Sequence, residues 1–248
     1  MSEGYIHLLE LGRVSYAEGQ EAMRRVVEAR KAGAIGDTLI LLEHPPVLTL
    51  GRNSHRENVL ASDEFLRLRG VEIHEVNRGG DVTYHGPGQL VGYPIFDLRG
   101  EWPGKKGPHL GPVDFMRMME EAIIRVCYDF GVPAQRIAGR TGVWTIANGP
   151  VEEKKLCAMG IHVSQGVTSH GLALNVTTDL RDFGLIVPCG ITDRTVTSLE
   201  LEAPETDDPA RQVSLQNAIN AVSRHFGRTF ERQMIAAGSL EDLLAAAV

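Results

Sequence analysis

Apolar and polar positions along this chain fall into short blocks whose period changes several times. YIHLLEL, residues 5–11, and DTLILLEH both predict strands, and the unbroken apolar run from Thr38 to Leu42 suits a buried one. Between them Ala22, Val26, Val27 and Ala29 share a stripe, which predicts a helix over Tyr16–Ala32. Pro45-Pro46 ends the second strand and VLTLG resumes an extended pattern. Ser62–Leu68 reads as a short helix and Val71–Val76 as a strand. QLVGYPIFDL is a further strand, and its internal Pro94, which has no N–H for a ladder, predicts an edge position or a bulge. The strongest helical pattern covers Val113–Phe130, with Gly131 as its cap, and RGEWPGKKGPHLGP (99–112) before it reads as an exposed loop.

The second half is more β-like. TGVWTIA and KLCAMGIHVS flank ANGPVEE, whose Asn148-Gly149 pair predicts a turn between antiparallel strands, and VTSHGLALNV supplies a third strand. An irregular piece through LIVPCGITD, a helix near Ala210–Phe226 and a terminal Ala-rich helix complete the pattern. Antiparallel neighbours with helices grouped between strand runs predict an α+β fold with mixed, largely antiparallel sheets flanked by helices. With 248 residues and 43% hydrophobic content the chain can fill a proper core, and a single domain over residues 1–248 is expected.

Composition narrows the function. No segment approaches the roughly 18 apolar residues of a membrane span, and MSEGYIHLLELGR carries charges where a secretory signal needs an apolar block, so a cytoplasmic protein is expected. A net charge of -7 argues against wholesale nucleic-acid binding while leaving room for a local basic patch. Cys127, Cys157 and Cys189 lie far apart without a CxxC pair, which fits reduced thiols better than disulfides or a structural metal site.

Two nucleotide signatures fail. GPGQLVG leads into a strand instead of a phosphate-binding helix, and Gly104-Lys105 lacks the upstream glycine of a P-loop. Cys189, between Pro188 and Gly190, is the cysteine whose surroundings suit a thiol presented to a cleft, whereas Cys127 and Cys157 fall within apolar patterns. A thiol with a reference pKa of about 8.5 needs a base or a nearby cation to react; His85, His170 and the Lys154-Lys155 pair are the candidates.

RGGDVTYHGPGQLVGYPIFDL, RTGVWTI, KLCAMGIHV, SHGLALNV and LIVPCGITD, in this order, resemble the lipoyl(octanoyl) transferase family, the octanoyl-acyl carrier protein:protein octanoyltransferases, from about Glu43 to Leu199. The resemblance implies the fold of the biotin and lipoate protein ligase catalytic domains. It also implies transfer of an octanoyl group, in protein lipoylation, from octanoyl-acyl carrier protein to a lysine of the lipoyl domains of 2-oxoacid dehydrogenases or of glycine cleavage H protein. Carried onto this sequence, it makes Cys189 the acyl-thioester nucleophile and chooses Lys155 over Lys154 as its catalytic partner. The substrate pocket falls on Arg78, Gly79, Gly80, Asp81, Val82, Thr83, Tyr84 and His85, on Ala158, Met159 and Gly160, and on His170, Gly171, Leu172 and Ala173.

On this reading glycines 79, 80, 86 and 88 let backbone pass close to an acyl chain, while Thr83, Tyr84 and His85 form its walls. Backbone N–H groups near Gly190 or Gly79 would stabilise an oxyanion. No metal and no cofactor are expected. Arg52, Arg99, Lys105 and Lys106 are expected to offer an acidic carrier a basic docking patch. The rival readings are an ATP-dependent ligase on the same fold, a cysteine hydrolase using Cys189 and His170, and a catalytically idle acyl-binding protein.

Overall fold

The computed structural model describes residues 4–100, 102, 107, 109–149, 152–187 and 195–245. Its spine is an eight-stranded sheet. β1 (Tyr5–Arg13) leads through α1 (Tyr16–Lys31) to β2 (Asp37–Glu43), and the two strands run parallel. A three-stranded sheet follows, made of β3 (Val47–Leu50), β4 (Glu72–Glu75) and β5 (Val82–His85), with α2 (Asp63–Leu68) between β3 and β4. The chain then returns to the large sheet as β6 (Gln89–Ile95), crosses through α3 (Pro112–Asp129), and adds β7 (Ala134–Ile137), β8 (Arg140–Thr145), β9 (Lys155–Ser164) and β10 (Val167–Asn175). After the short α4 (Leu199–Glu202) come α5 (Leu215–Phe230), β11 (Gln233–Ala237) and α6 (Leu240–Ala245). The large sheet has the order β11-β1-β2-β6-β10-β9-β8-β7, parallel around β1 and antiparallel from β2 onward. This is the mixed, mostly antiparallel α+β arrangement expected.

Strand alternation divides β2 between two cores. Ile40 and Leu42 join Met23, Val26 and Val27 of α1 on one face; Leu39 and Leu41 join Phe115, Met119 and Ile123 of α3 with Val222 and Phe226 of α5 on the other. Helices cover both faces, so all seven residues of β2 are buried and its sequence shows a run instead of an alternation. α1 starts where Ser15 and Glu18 form a reciprocal capping box, the Glu18 N–H donating to Ser15 Oγ and the Ser15 N–H to Glu18 Oε2. At the far end of α3, Gly131 takes φ +75°, as a helix-ending glycine should. No helix among the described residues is long and apolar enough to cross a membrane.

Three expectations need correction. Pro94 lies in the interior of the sheet, between β2 and β10, not at an edge. The β6–β10 ladder stops at Leu172–Gly92 and returns only as the Asp97–Val167 bridge, so the missing N–H removes no ladder bond. His170 of β10, with φ +58°, lies in this lapse. The 99–112 segment is not simply an exposed loop: Trp102 is buried beside Phe96 and Phe230, and Leu110 joins the same core. α5 begins later than expected, where Ser214 Oγ caps the Asn217 N–H. It also runs through Gly227, where the Arg232 carbonyl comes back to 3.0 Å from the place a Cβ would take. Both edge strands, β7 and β11, escaped the sequence reading because AQRI and QMIAA are short and carry no alternation.

Candidate active site

A cavity of about 760 Å³ opens where β5, β6, β8, β9 and β10 meet the first turns of α3 and the Arg78–Gly80 turn. Its apolar lining includes Val91, Met116, Met159, Ile161, Leu172 and Ala173; its polar lining includes Tyr16, Tyr93, Glu120 and Arg140. Thirteen of the residues expected at the site lie on its wall: Arg78, Gly79, Gly80, Thr83, His85, Lys155, Ala158, Met159, Gly160, His170, Gly171, Leu172 and Ala173.

The pleat of β5 divides the rest. Thr83 and His85 face the cavity, while Val82 and Tyr84 point into the small core with Leu48 and Phe183. Tyr84 is therefore no wall of the cavity; its hydroxyl donates to Asp182 at 3.1 Å. Asp81 accepts from Asn58 Nδ2 at 2.6 Å and from the Val82 N–H at 2.7 Å. Of the four glycines, Gly79 and Gly80 line the cavity, whereas Gly86 packs on Tyr84 and Gly88 on Thr177. Gly79 and Gly160 allow a close crossing, since the Gly79 carbonyl lies 2.8 Å from where a Gly160 Cβ would be. The Gly79 N–H already donates to the Ile161 carbonyl at 3.3 Å, so it is not a free oxyanion donor.

The two lysines diverge. Lys154 is half-exposed and reaches Glu202 Oε1 at 3.0 Å. Lys155 is 8% exposed, lines the cavity, and sets its Nζ 4.7 Å from the centre of the Trp144 ring, whose face attracts a cation. Its backbone is gripped on both sides of the chain by residues after the candidate nucleophile: the Lys155 N–H donates to the Thr195 carbonyl and the Thr197 N–H to the Lys155 carbonyl, each at 2.9 Å. Cys189 and Gly190 lie outside the described residues, as do Lys105 and Lys106 of the expected basic patch. Arg52 is exposed, and Arg99 is held by Asp97 at 2.8 and 2.6 Å, which offsets its charge. Cys127 and Cys157 are fully buried, and burial pushes the Cys127 thiol up to about 12 and the Cys157 thiol well above its ordinary value. Neither suits a nucleophile.

The histidines are neutral parts of the wall. Burial, with His44 and Arg78 nearby, drops His85 to about 3; burial and Arg78 drop His170 to about 4. His170 Nε2 meets Asn77 Oδ1 at 2.8 Å, and Arg78 donates to the Thr49 carbonyl at 2.9 Å and to Thr49 Oγ1 at 2.8 Å. Burial raises Tyr16 to about 12, so its ring enters the site as a neutral phenol. Because the folded protein binds these imidazole protons far more weakly than the unfolded chain does, stability is full above about pH 6.5 and falls as pH drops from there toward about 3. Melting temperature measured against pH should show this fall, and His85→Gln should flatten it.

Sequence reasoning missed Tyr16, Tyr93, Glu120 and Arg140. Glu120 carried a readable signal, a carboxylate on the apolar stripe of α3 between Met119 and Ala122. It is fully buried, accepts from the Gly142 N–H at 3.0 Å and pairs with Arg117 at 2.7 Å and Arg136 at 3.2 Å. Among the described residues no group of His, Cys, Asp and Glu has the makings of a metal site.

A mixed sheet flanked by helices, with a glycine-turned, largely apolar cavity and a buried lysine on its wall, places the chain in the α+β class with a pocket suited to an apolar substrate. Residues 15–227 match the lipoyl protein ligase A/B catalytic domain, and the chain belongs to that family. It is 64% identical over 96% of both chains to the octanoyltransferase of Acidobacterium capsulatum. It is 49% identical to that of Koribacter versatilis, covering 96% of this chain and 90% of the relative. In fold it resembles the solved lipoate-protein ligase A bound with ATP, with a TM-score of 0.67 at 18% identity over 99% of this chain and 92% of the other. The bi-partite lipoate protein ligase of Thermoplasma acidophilum gives 0.66 at 20% identity over 99% and 91%.

Proposed function

We propose that this enzyme takes an octanoyl group from acyl carrier protein onto Cys189 as a thioester and passes it to a lysine of a lipoyl domain. The octanoyltransferase relatives and the family membership support octanoyl transfer in protein lipoylation. The observation that carries the reading is the placement of Lys155, the amine chosen by the family motif, on the cavity wall while Lys154 is drawn off to Glu202.

In the first half-reaction the Cys189 thiolate attacks the thioester carbonyl, a new C–S bond forms, and the carrier's C–S bond breaks. The departing carrier thiolate takes up the proton of the Lys155 ammonium, which leaves that amine neutral for the second step. In the second, the uncharged acceptor amine attacks, a C–N bond forms, the bond to Cys189 breaks, and the amine's proton leaves by way of Lys155 to restore the resting state. Thioester exchange is close to energy-neutral and amide formation is downhill, so the sequence needs no nucleotide. Lys155 supplies the positive charge that favours a thiolate beside it. The Thr195 carbonyl, six residues beyond Cys189 in the chain, accepts from the Lys155 backbone N–H at 2.9 Å.

The apolar wall of Val91, Met159, Ile161, Leu172 and Ala173 suits a saturated acyl chain. Incubation of octanoyl-acyl carrier protein with a lipoyl-domain acceptor should give octanoylated acceptor at the same rate with and without ATP. Dependence on ATP and free octanoate would indicate a ligase, and release of octanoate without acceptor a hydrolase; either result rejects the reading.

A further inference from the structure

Behind the cavity wall lies a run of buried polar groups that the chemistry above does not use. Gln89 of β6 and Asn175 of β10 are register partners, directly opposite each other in the antiparallel ladder, and both are buried. The Gln89 side-chain N–H groups donate to Asn175 Oδ1 at 2.9 Å and to the Tyr84 carbonyl at 3.2 Å. Both bonds fix the amide's orientation, so Gln89 Oε1 faces His85 Nδ1 at 2.7 Å. An amide oxygen only accepts, and His85 must therefore carry its proton on Nδ1. That leaves a lone pair on Nε2, next to Thr49 Oγ1 at 3.5 Å and hence on the Arg78 side of the ring. A contact of that length is too weak to occupy Nε2 fully. At the other end, Asn175 Nδ2 donates to the Thr197 carbonyl at 2.9 Å, and Thr197 in turn donates its N–H to the Lys155 carbonyl.

We propose that the Gln89–Asn175 amide pair is a positioning unit of the transfer site, setting the tautomer of His85 on one wall and the strand end that carries Lys155 on another. The inference rests on the cavity being the acyl-transfer site. Its chemical content is specific. A ring protonated on Nδ1 and neutral at working pH offers an acceptor at Nε2 and no second donor. A thioester oxygen gains nothing there, whereas an N–H does, and the N–H that must be oriented in the second half-reaction is that of the attacking amine. The same amide pair ties this wall to Lys155 through Thr197, so one buried unit sets the distance between the group that receives the amine and the group that takes its proton.

The test uses the full-length protein labelled with 15N at histidine, with the His85 signal assigned by its absence from His85→Asn. The wild type should show Nδ1 protonated and Nε2 bare. In Gln89→Met the signal should move toward the Nε2–H form, with kcat down roughly tenfold, the effect of one misplaced buried hydrogen bond. KM for the octanoyl donor should stay within about twofold, because donor binding does not use this acceptor. Asn175→Asp keeps an acceptor for Gln89 but loses the donor to Thr197, so it should retain the His85 tautomer and still lower kcat. An Nε2–H wild type, or a folded Gln89→Met with unchanged kcat, overturns the proposal. Should Gln89→Met not fold, full kcat in Asn175→Asp overturns it. A wild type with the Nδ1–H signal but no octanoyl transfer overturns the transfer site itself, and the spectrum distinguishes that failure from a wrong tautomer.

Discussion

Replacing Cys189 by serine is expected to abolish octanoyl transfer, lowering the rate by at least roughly a thousandfold, as loss of a nucleophile does when the other groups cannot act without it. A serine hydroxyl stays protonated at neutral pH, and a lysine placed to favour a thiolate gives it little help. The other two cysteines do not compensate. Cys127 lies in the α3 core and Cys157 faces the same core from β9, both fully buried and held as thiols. Cys127→Ala should therefore transfer octanoyl groups at the wild-type rate. Rates measured with octanoyl-acyl carrier protein and a lipoyl domain would separate the two variants, and substantial turnover by Cys189→Ser would remove the thioester from the mechanism.

Lys155→Met should come next in size, with a loss of roughly a hundredfold or more. Methionine keeps the stem on Trp144, so melting temperature should change far less than activity. Arginine should not restore the rate. A guanidinium keeps its proton, and although its charge serves thiolate formation, it cannot take up and give back the amine's proton in the second half-reaction. The control is Lys154→Met, which removes only the contact with Glu202 and should transfer normally. Equal losses at 154 and 155 would mean that local charge, and not the amine on the cavity wall, supports the reaction.

Much of the framework was legible because short local patterns state their roles. The stripe of Ala22, Val26, Val27 and Ala29 announces α1, and Gly131 announces the end of α3. Pro94 misled because its compatibility with an interior strand depends on where the ladder with β10 lapses, a property of the partner strand and not of β6. Trp102 misled for a related reason: glycines, prolines and lysines around it read as surface, while Phe96 and Phe230, distant in sequence, draw the indole into the core.

The site followed the same division. The motif residues at 78–80, 158–160 and 170–173 converge on one cavity, but Tyr84 belongs to the other face of β5, which strict alternation between Thr83 and His85 would have indicated. The choice between Lys154 and Lys155 was beyond alternation. A register shift in β8–β9 between Val143 and Trp144 brings Trp144 opposite Lys155, and no pattern in either strand foretells it. Gln89 and Asn175 were equally silent, since a buried amide declares its purpose only through the partners that tertiary structure provides.

The most direct measurement is the intact mass of the wild-type enzyme after brief mixing with octanoyl-acyl carrier protein and no acceptor. The account predicts one added octanoyl group, mapped to Cys189, released by thioester-cleaving hydroxylamine and discharged when a lipoyl domain is added. An enzyme that transfers at full rate yet never gains that mass, or gains it at another residue, would contradict it.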